Sequence, residues 1–130
     1  MSLSRILVVD DEPHLSDLVR FFLEKTKRYD VRIVNRSAQA LPAAREFRPH
    51  LVLLDVNMPG KDGGDVAKEL AADPIVRRTP ILFLTSLISE ADTKGGIALR
   101  GGMRFLSKPV DPAALVAAVD GLLASAQVAA

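Results

Sequence analysis

Five short apolar runs, RILVVD, YDVRIV, LVLLD, PILFLT and MRFLSKP, recur at regular intervals between Arg5 and Pro109. Rich in Val, Ile, Leu and Phe and too short for helices, they read as strands buried on both faces. Helical spacing fills the gaps. Leu15, Leu18, Val19, Phe22 and Leu23 form the first stripe, and a less regular segment follows the second strand. Val66, Ala67, Leu70 and Ala71 form the third, Ile97 and Ala98 mark the fourth, and Leu115, Val116, Val119 and Leu122 form the fifth. Strict alternation of strand and helix demands right-handed crossovers, hence a doubly wound five-stranded parallel sheet between helical layers.

The chain length allows one such unit and no more. With 130 residues, 48% of them apolar, a single domain buries enough surface to fold unaided. No cysteine is present, which removes disulfides and thiolate metal sites and fits a reducing interior. The net charge of +1 provides no basic field for nucleic acid, so no direct nucleic-acid binding is expected. No apolar run reaches the roughly 20 residues that span a bilayer, and no signal-like segment opens the chain. A soluble, cytoplasmic protein is the expectation. Residues 5–124 form the core of one domain spanning 1–130, and 125–130 read as a fraying end or the start of a linker. Met1 to Leu3 is compatible with an expression remnant, which would make this chain a piece of something longer.

Two segments resist the scheme. Pro42 lies inside SAQALPAAREF, where it removes a donor and crowds Ala38, so the second helix is expected to start late or bend. Ser86 to Gly102 carries four glycines and a weak apolar stripe, so the fourth helix should be the least stable.

In a doubly wound sheet, ligands meet the carboxyl ends of the strands where the strand order reverses. Those ends carry Asp10 and Asp11, then Asn35 and Arg36, Asp55, Thr85 and Ser86, and finally Lys108. With strand order 2-1-3-4-5, three carboxylates, one or two hydroxyls and one ammonium converge on one rim. Each has an ordinary explanation alone. Asp10 or Asp11 could cap the first helix, Asp55 could open a turn before Pro59 and Gly60, Thr85 suits any strand, and Lys108 suits any surface. His14 and His50 have no partner spacing and read as solvated or locally bonded. The joint pattern has no such explanation. Three acids about 5 Å apart repel by roughly 3 kcal/mol per pair at an effective dielectric near 20. A cation with oxygen ligands relieves that repulsion best, and Mg²⁺ leaves room for a phosphoryl oxygen. Lys108 compensates from the other side, so Asp55, between the two cations, is the expected nucleophile toward a phosphoryl group.

ILVVDDEP, LVLLDVNMPGKDG, ILFLTS and FLSKP, in that order, resemble the receiver domain of two-component response regulators from Arg5 to about Ala124. The resemblance implies a flavodoxin-like (βα)5 fold and a signalling domain rather than an enzyme. It makes Asp55 the phospho-acceptor, Asp10 and Asp11 the Mg²⁺ holders, and Asn57 the donor of a backbone carbonyl to the same ion. Thr85 would bond the arriving phosphoryl group, Lys108 would pair with it, and Phe105 would swing with Thr85 as a switch. A cis Lys108-Pro109 bond is also implied. The implied partners are a sensor histidine kinase or a histidine phosphotransfer protein, with a downstream effector or output domain. Self-association would use the fourth helix, fifth strand and fifth helix. Ser86 stands where alanine is commoner, and Leu87 where many relatives are polar, which suggests slower attack by water.

Three rivals compete. A dehalogenase-type phosphatase needs a second carboxylate two residues past its nucleophile, where this chain has Asn57. An FMN binder needs a hydroxyl- or glycine-rich first loop, and DDEPHLSD would repel the phosphate. A degenerate receiver acting as a phosphorylation-independent binding module usually lacks one of the acids or the lysine, all of which are present.

Overall fold

Each of the five apolar runs becomes a strand. The computed structural model describes residues 3–86 and 97–129, with side-chain surroundings up to residue 125. In chain order these are β1 (Ser4–Val9), α1 (Pro13–Glu24), β2 (Tyr29–Val34), a 3₁₀ turn (Ser37–Gln39), α2 (Ala40–Phe47), β3 (Leu51–Asp55) and α3 (Gly63–Ala72). Then come β4 (Ile81–Thr85), β5 (Ala98–Arg100), β6 (Met103–Ser107) and α4 (Pro112–Ala129). Strand order is β2-β1-β3-β4-β6-β5. The five long strands are all parallel, and they keep the expected 2-1-3-4-5 order when β6 is counted fifth.

The sixth strand corrects the expectation of five. The spacing of Ile97 and Ala98 predicts a helix, but Ala98–Arg100 forms an antiparallel edge strand on β6, with Arg100 opposite Met103. The cause is Gly101-Gly102, which have φ of 58° and 81°. Positive φ at both central residues is the geometry of a two-residue hairpin turn whose twist suits the strands. The remainder of the expected fourth helix, and Leu87 with it, falls in 87–96, outside the described residues.

Side-chain alternation divides the core into two layers. Ile6, Val8, Leu51, Leu53, Leu82, Leu84 and Leu106 face α1 and α4. Leu7, Val9, Val52, Leu54 and Phe83 face α2 and α3. All five residues of β3 are buried, as a strand at the centre of a covered parallel sheet requires. Pro42 has the expected effect: α2 begins only at Ala40, after the 3₁₀ turn, so the missing N–H of Pro42 falls among the helix's first four orphan donors. Within α1 the stripe is narrower than expected, since Leu18 is 44% exposed beside Phe21 at 59%.

Two polar clasps close the layers. At the pole away from the strand ends' rim, Asp120 of α4 accepts from the Tyr29 hydroxyl and from Arg28 Nη2, the latter at 2.8 Å. Burial first, and then Asp120, push the Tyr29 pKa up to about 12. Between α2 and α3, Arg45 Nε reaches Asp73 Oδ2 at 2.6 Å, while Asp73 Oδ1 accepts from the Ile75 N–H at 2.8 Å. Burial opposes ionisation of Asp73, but Arg45 and the two backbone donors outweigh it and hold its pKa below the ordinary 3.8. A depressed folded pKa contributes stability above the unfolded value that disappears as pH falls through the folded one. Urea midpoints of the wild type and Asp73→Asn should therefore differ at pH 6 and converge below about pH 4. A gap that stays constant down to pH 3 would show that the charge of Asp73 contributes nothing.

Candidate functional site

The register that builds the sheet also builds the site. β1 and β3 last pair at Val9 and Leu54, so the next step sets Asp10 beside Asp55. Asp55 pairs with Leu84, and Thr85 with Ser107, one residue before Lys108. Alternation then sorts these ends by face. Asp10 continues Ile6 and Val8, Asp55 continues Leu51 and Leu53, and Lys108 continues Leu106, all on the layer of α1 and α4. Thr85 follows Phe83 on the opposite layer, where half-buried Phe105 stacks on Phe83 with centroids 5.1 Å apart.

Asp10 and Asp55 are 1% and 3% exposed. Between them, Lys108 Nζ donates to Asp55 Oδ1 at 2.9 Å and to Asp10 Oδ2 at 3.3 Å. The remaining oxygen of Asp10 accepts from the Glu12 N–H at 2.9 Å. Asp10 is thus no helix cap; Glu12 occupies that position and its side chain makes no capping bond. Asp11 completes the group, with one carboxylate oxygen from each of Asp10, Asp11 and Asp55 lying within 4.8 Å of the others. Three acids against one ammonium leave the cluster short of positive charge. Burial pushes the Asp10 pKa up, against the opposing pull of the Glu12 N–H and Lys108. Burial alone would lower Lys108, but its bonds to Asp55 and its attraction to both acids prevail and raise it. An all-oxygen, acceptor-only donor set of this kind suits a hard divalent cation such as Mg²⁺.

Asn57 stands two residues past Asp55 on the exposed start of the loop into α3. That helix begins with a reciprocal cap, Asp62 accepting from the Asp65 N–H at 2.9 Å and Asp65 accepting from the Asp62 N–H at 3.4 Å. The cap holds Gly63 against the end of β3. A Cβ at Gly63 would stand 2.5 Å from the Asp55 carbonyl oxygen and 2.9 Å from Val56 Cα. Sequence reasoning missed this glycine, whose one signal was its place after Asp62 at a helix start. The Lys108-Pro109 bond is cis. His50 accepts from the Arg5 N–H at 2.8 Å, a local role, and His14 is exposed.

A family model, "Response regulator receiver domain", matches residues 6–120. The chain belongs to the response regulator receiver family. Among curated relatives, this receiver is 41% identical over 119 residues to the DNA-binding response regulator MtrA of Mycolicibacterium smegmatis, covering 92% of this chain and 50% of MtrA. It is 36% identical to the alkaline phosphatase synthesis transcriptional regulatory protein PhoP of Bacillus subtilis, covering 97% of this chain and 51% of PhoP. The response regulator PleD of Caulobacter vibrioides is 37% identical over 92% of this chain and 26% of its own length. The receiver therefore spans about half or less of the length of these relatives. Among solved structures, the chemotaxis response regulator CheY4 of Vibrio cholerae superposes with a TM-score of 0.77 at 27% identity, covering 93% of this chain and 99% of CheY4. The receiver domain of a histidine kinase from Syntrophus aciditrophicus gives 0.77 at 30% identity, covering 94% and 91%. Among the described residues, no helix is long and apolar enough to cross a membrane.

The charge imbalance has a measurable consequence. Removing one acid while keeping Lys108 paired to Asp55 relieves repulsion, so Asp10→Asn should stabilise the metal-free receiver by about 1 kcal/mol. The same substitution should abolish the rise in melting temperature that Mg²⁺ gives the wild type. Thermal melts with and without Mg²⁺ check both, and a metal-free Asp10→Asn less stable than wild type would contradict the imbalance.

Proposed function

We propose that Asp55 accepts a phosphoryl group from a phosphohistidine, carried by a sensor histidine kinase or a histidine phosphotransfer protein. The observation carrying this reading is the Lys108 ammonium, 2.9 Å from the buried Asp55 carboxylate and shared with Asp10. In the transfer, an Asp55 oxygen forms the new O–P bond as the N–P bond breaks and the imidazole leaves with the electron pair. Lys108 moves from pairing the carboxylates to pairing the phosphoryl oxygens, whose charge grows in a loose transition state. Asp10, Asp11 and Asp55, with the Asn57 carbonyl, are the residues that would hold Mg²⁺. Bound there, Mg²⁺ supplies positive charge to the phosphoryl group. Water attacking the same phosphorus reverses the modification, so the domain promotes its own phosphorylation and dephosphorylation without being an enzyme on other substrates.

Acetyl phosphate with Mg²⁺ tests the assignment. Intact mass should rise by one phosphate in the wild type, remain unchanged for Asp55→Asn, and remain unchanged for the wild type in EDTA. Phosphate on Asp55→Asn at the wild-type rate would sink the reading. A phosphorylation-independent binding module is disfavoured by the full set of Asp10, Asp11, Asp55, Thr85 and Lys108.

The reading extends to a switch. Phosphorylation adds up to two negative charges and three acceptor oxygens. Thr85, at the neighbouring strand end, is drawn toward them, and Phe105 turns into the space behind it. The surface of β6 and α4 then becomes part of the face read by an effector, an output domain or a second copy; the expected fourth helix of that face falls in 87–96, outside the described residues. A single domain over 1–130, a cytoplasmic setting and no direct nucleic-acid contact belong to the same reading. The DNA binding named for MtrA is a property of that longer protein. Amide spectra recorded with beryllofluoride, a phosphoryl mimic, and saturating Mg²⁺ should shift along 97–107 as well as around Asp55. Changes confined to the neighbours of Asp55 would refute the coupling.

A further inference from the structure

The second strand supplies no carboxylate to the cleft, although Arg36 just past it lines the space beside Asp11, and Asn35 and Ser37 bond to both acid-bearing loops. Asn35 Nδ2 donates to the main-chain carbonyl of Asp10 at 2.7 Å and to Ser16 Oγ at 3.0 Å. Ser16 is fully buried, and its hydroxyl reaches the Pro13 carbonyl at 3.1 Å, so Asn35 grips the acid turn at both of its ends. Two residues on, buried Ser37 accepts from the Lys61 N–H at 3.3 Å and donates to the Pro59 carbonyl at 3.4 Å. Gly60, at φ 81°, carries the loop directly over that hydroxyl, since a Cβ there would lie 3.8 Å from Ser37 Oγ.

These bonds span a gap that packing does not fill. A cavity of about 400 Å³ lies between the loops, lined among others by Asp11, Asn35, Ser37, Met58 and Lys61. Below it, the β1–β2 ladder ends with the Asp10 N–H on the Val34 carbonyl at 3.1 Å. On the other side, the Gly63 N–H closes the base of the second loop on the Val56 carbonyl at 2.9 Å. Asp11 and Asn57 lie on the two turns above those closures. Hydrogen bonds from residues 35 and 37 therefore bridge the turn carrying Asp10 and Asp11 to the loop carrying Asn57, above the core packing of buried Met58.

We infer that Asn35 and Ser37 are positioning residues for the cation site, a three-residue strap that sets the spacing of its two halves; this rests on the reading of the acidic cluster as a Mg²⁺ site. Mg²⁺ demands near-ideal octahedral geometry, so a small drift of one loop is felt as lost affinity. Partners lying outside the ligands commonly account for 10–100-fold in metal affinity.

The test titrates MgCl₂ into ¹⁵N-labelled protein and follows the amides of Asp10, Asp11, Val56 and Asn57. Asn35→Ala and Ser37→Ala should each weaken apparent Mg²⁺ affinity by roughly tenfold. Ser37→Thr keeps the hydroxyl and should bind close to wild type. Metal-free thermal melts run beside the titrations, because a merely structural role would lower the melting temperature and leave the affinity of the folded protein unchanged. Asp11→Asn separates the two readings. Undiminished binding by Asp11→Asn would refute the cation site itself. Loss of binding by Asp11→Asn, with both alanine variants titrating like wild type, would overturn the strap alone. Should Asn35→Ala fail to fold, the contrast between Ser37→Ala and Ser37→Thr decides.

Discussion

One ammonium shared between two buried carboxylates organises the carboxyl rim of this sheet. β6, which carries Lys108, and β3, which carries Asp55, flank β4 and so lie about 10 Å apart. The lysine stem bridges that span over the end of β4, largely buried, with 14% of the side chain exposed. A shorter cation could not cross, and a guanidinium would bring a fixed planar fork where a point charge is shared between two acids. The topology and the residue type thus require each other: the strand order puts a four-carbon reach between the pair.

That arrangement is incomplete by design of its charges. Lys108 neutralises one acid of three, and burial holds the Asp10 pKa up, so the metal-free cluster carries unresolved repulsion. The rest of the fold tolerates this because Asp55 ends a strand buried at every residue, and Gly63 lets the start of α3 press directly on the Asp55 backbone. The strain of like charges is therefore held by a centre that cannot spread to relieve it.

Much of this was legible in the residues. Apolar runs of strand length between helical stripes implied the parallel sheet, and strand ends bearing Asp10, Asp11, Asp55 and Lys108 implied their convergence, because parallel topology sends every carboxyl end to one rim. Pro42 announced the late start of α2. The hairpin of β5 and β6 was overlooked although Gly101-Gly102 between two short apolar runs is a turn signal; the weak helical pattern upstream took precedence. Asn35 and Ser37 were beyond sequence reasoning for a different reason. Apart from Ser16 Oγ, their partners are main-chain atoms of loops 22 to 25 residues away, and a backbone carbonyl or N–H leaves no trace in side-chain identity. Gly63 was hidden likewise, since its role is the absence of an atom next to the Asp55 backbone.

The division of the rim between the two faces has its own consequence. Asp10, Asp55 and Lys108 belong to the layer of α1 and α4, whereas Thr85, Phe83 and Phe105 belong to the layer of α2 and α3. The sheet between them is a continuous, hydrogen-bonded partition whose inner strands are closely packed on both sides. On the proposed function, a change at Asp55 would have no passage through that wall and would have to go over the top, at the edge where strands end. The rim would then be both the place of the proposed chemistry and the doorway between the halves of the core, and the last residue of each strand would count for more in communication than the many apolar residues beneath it.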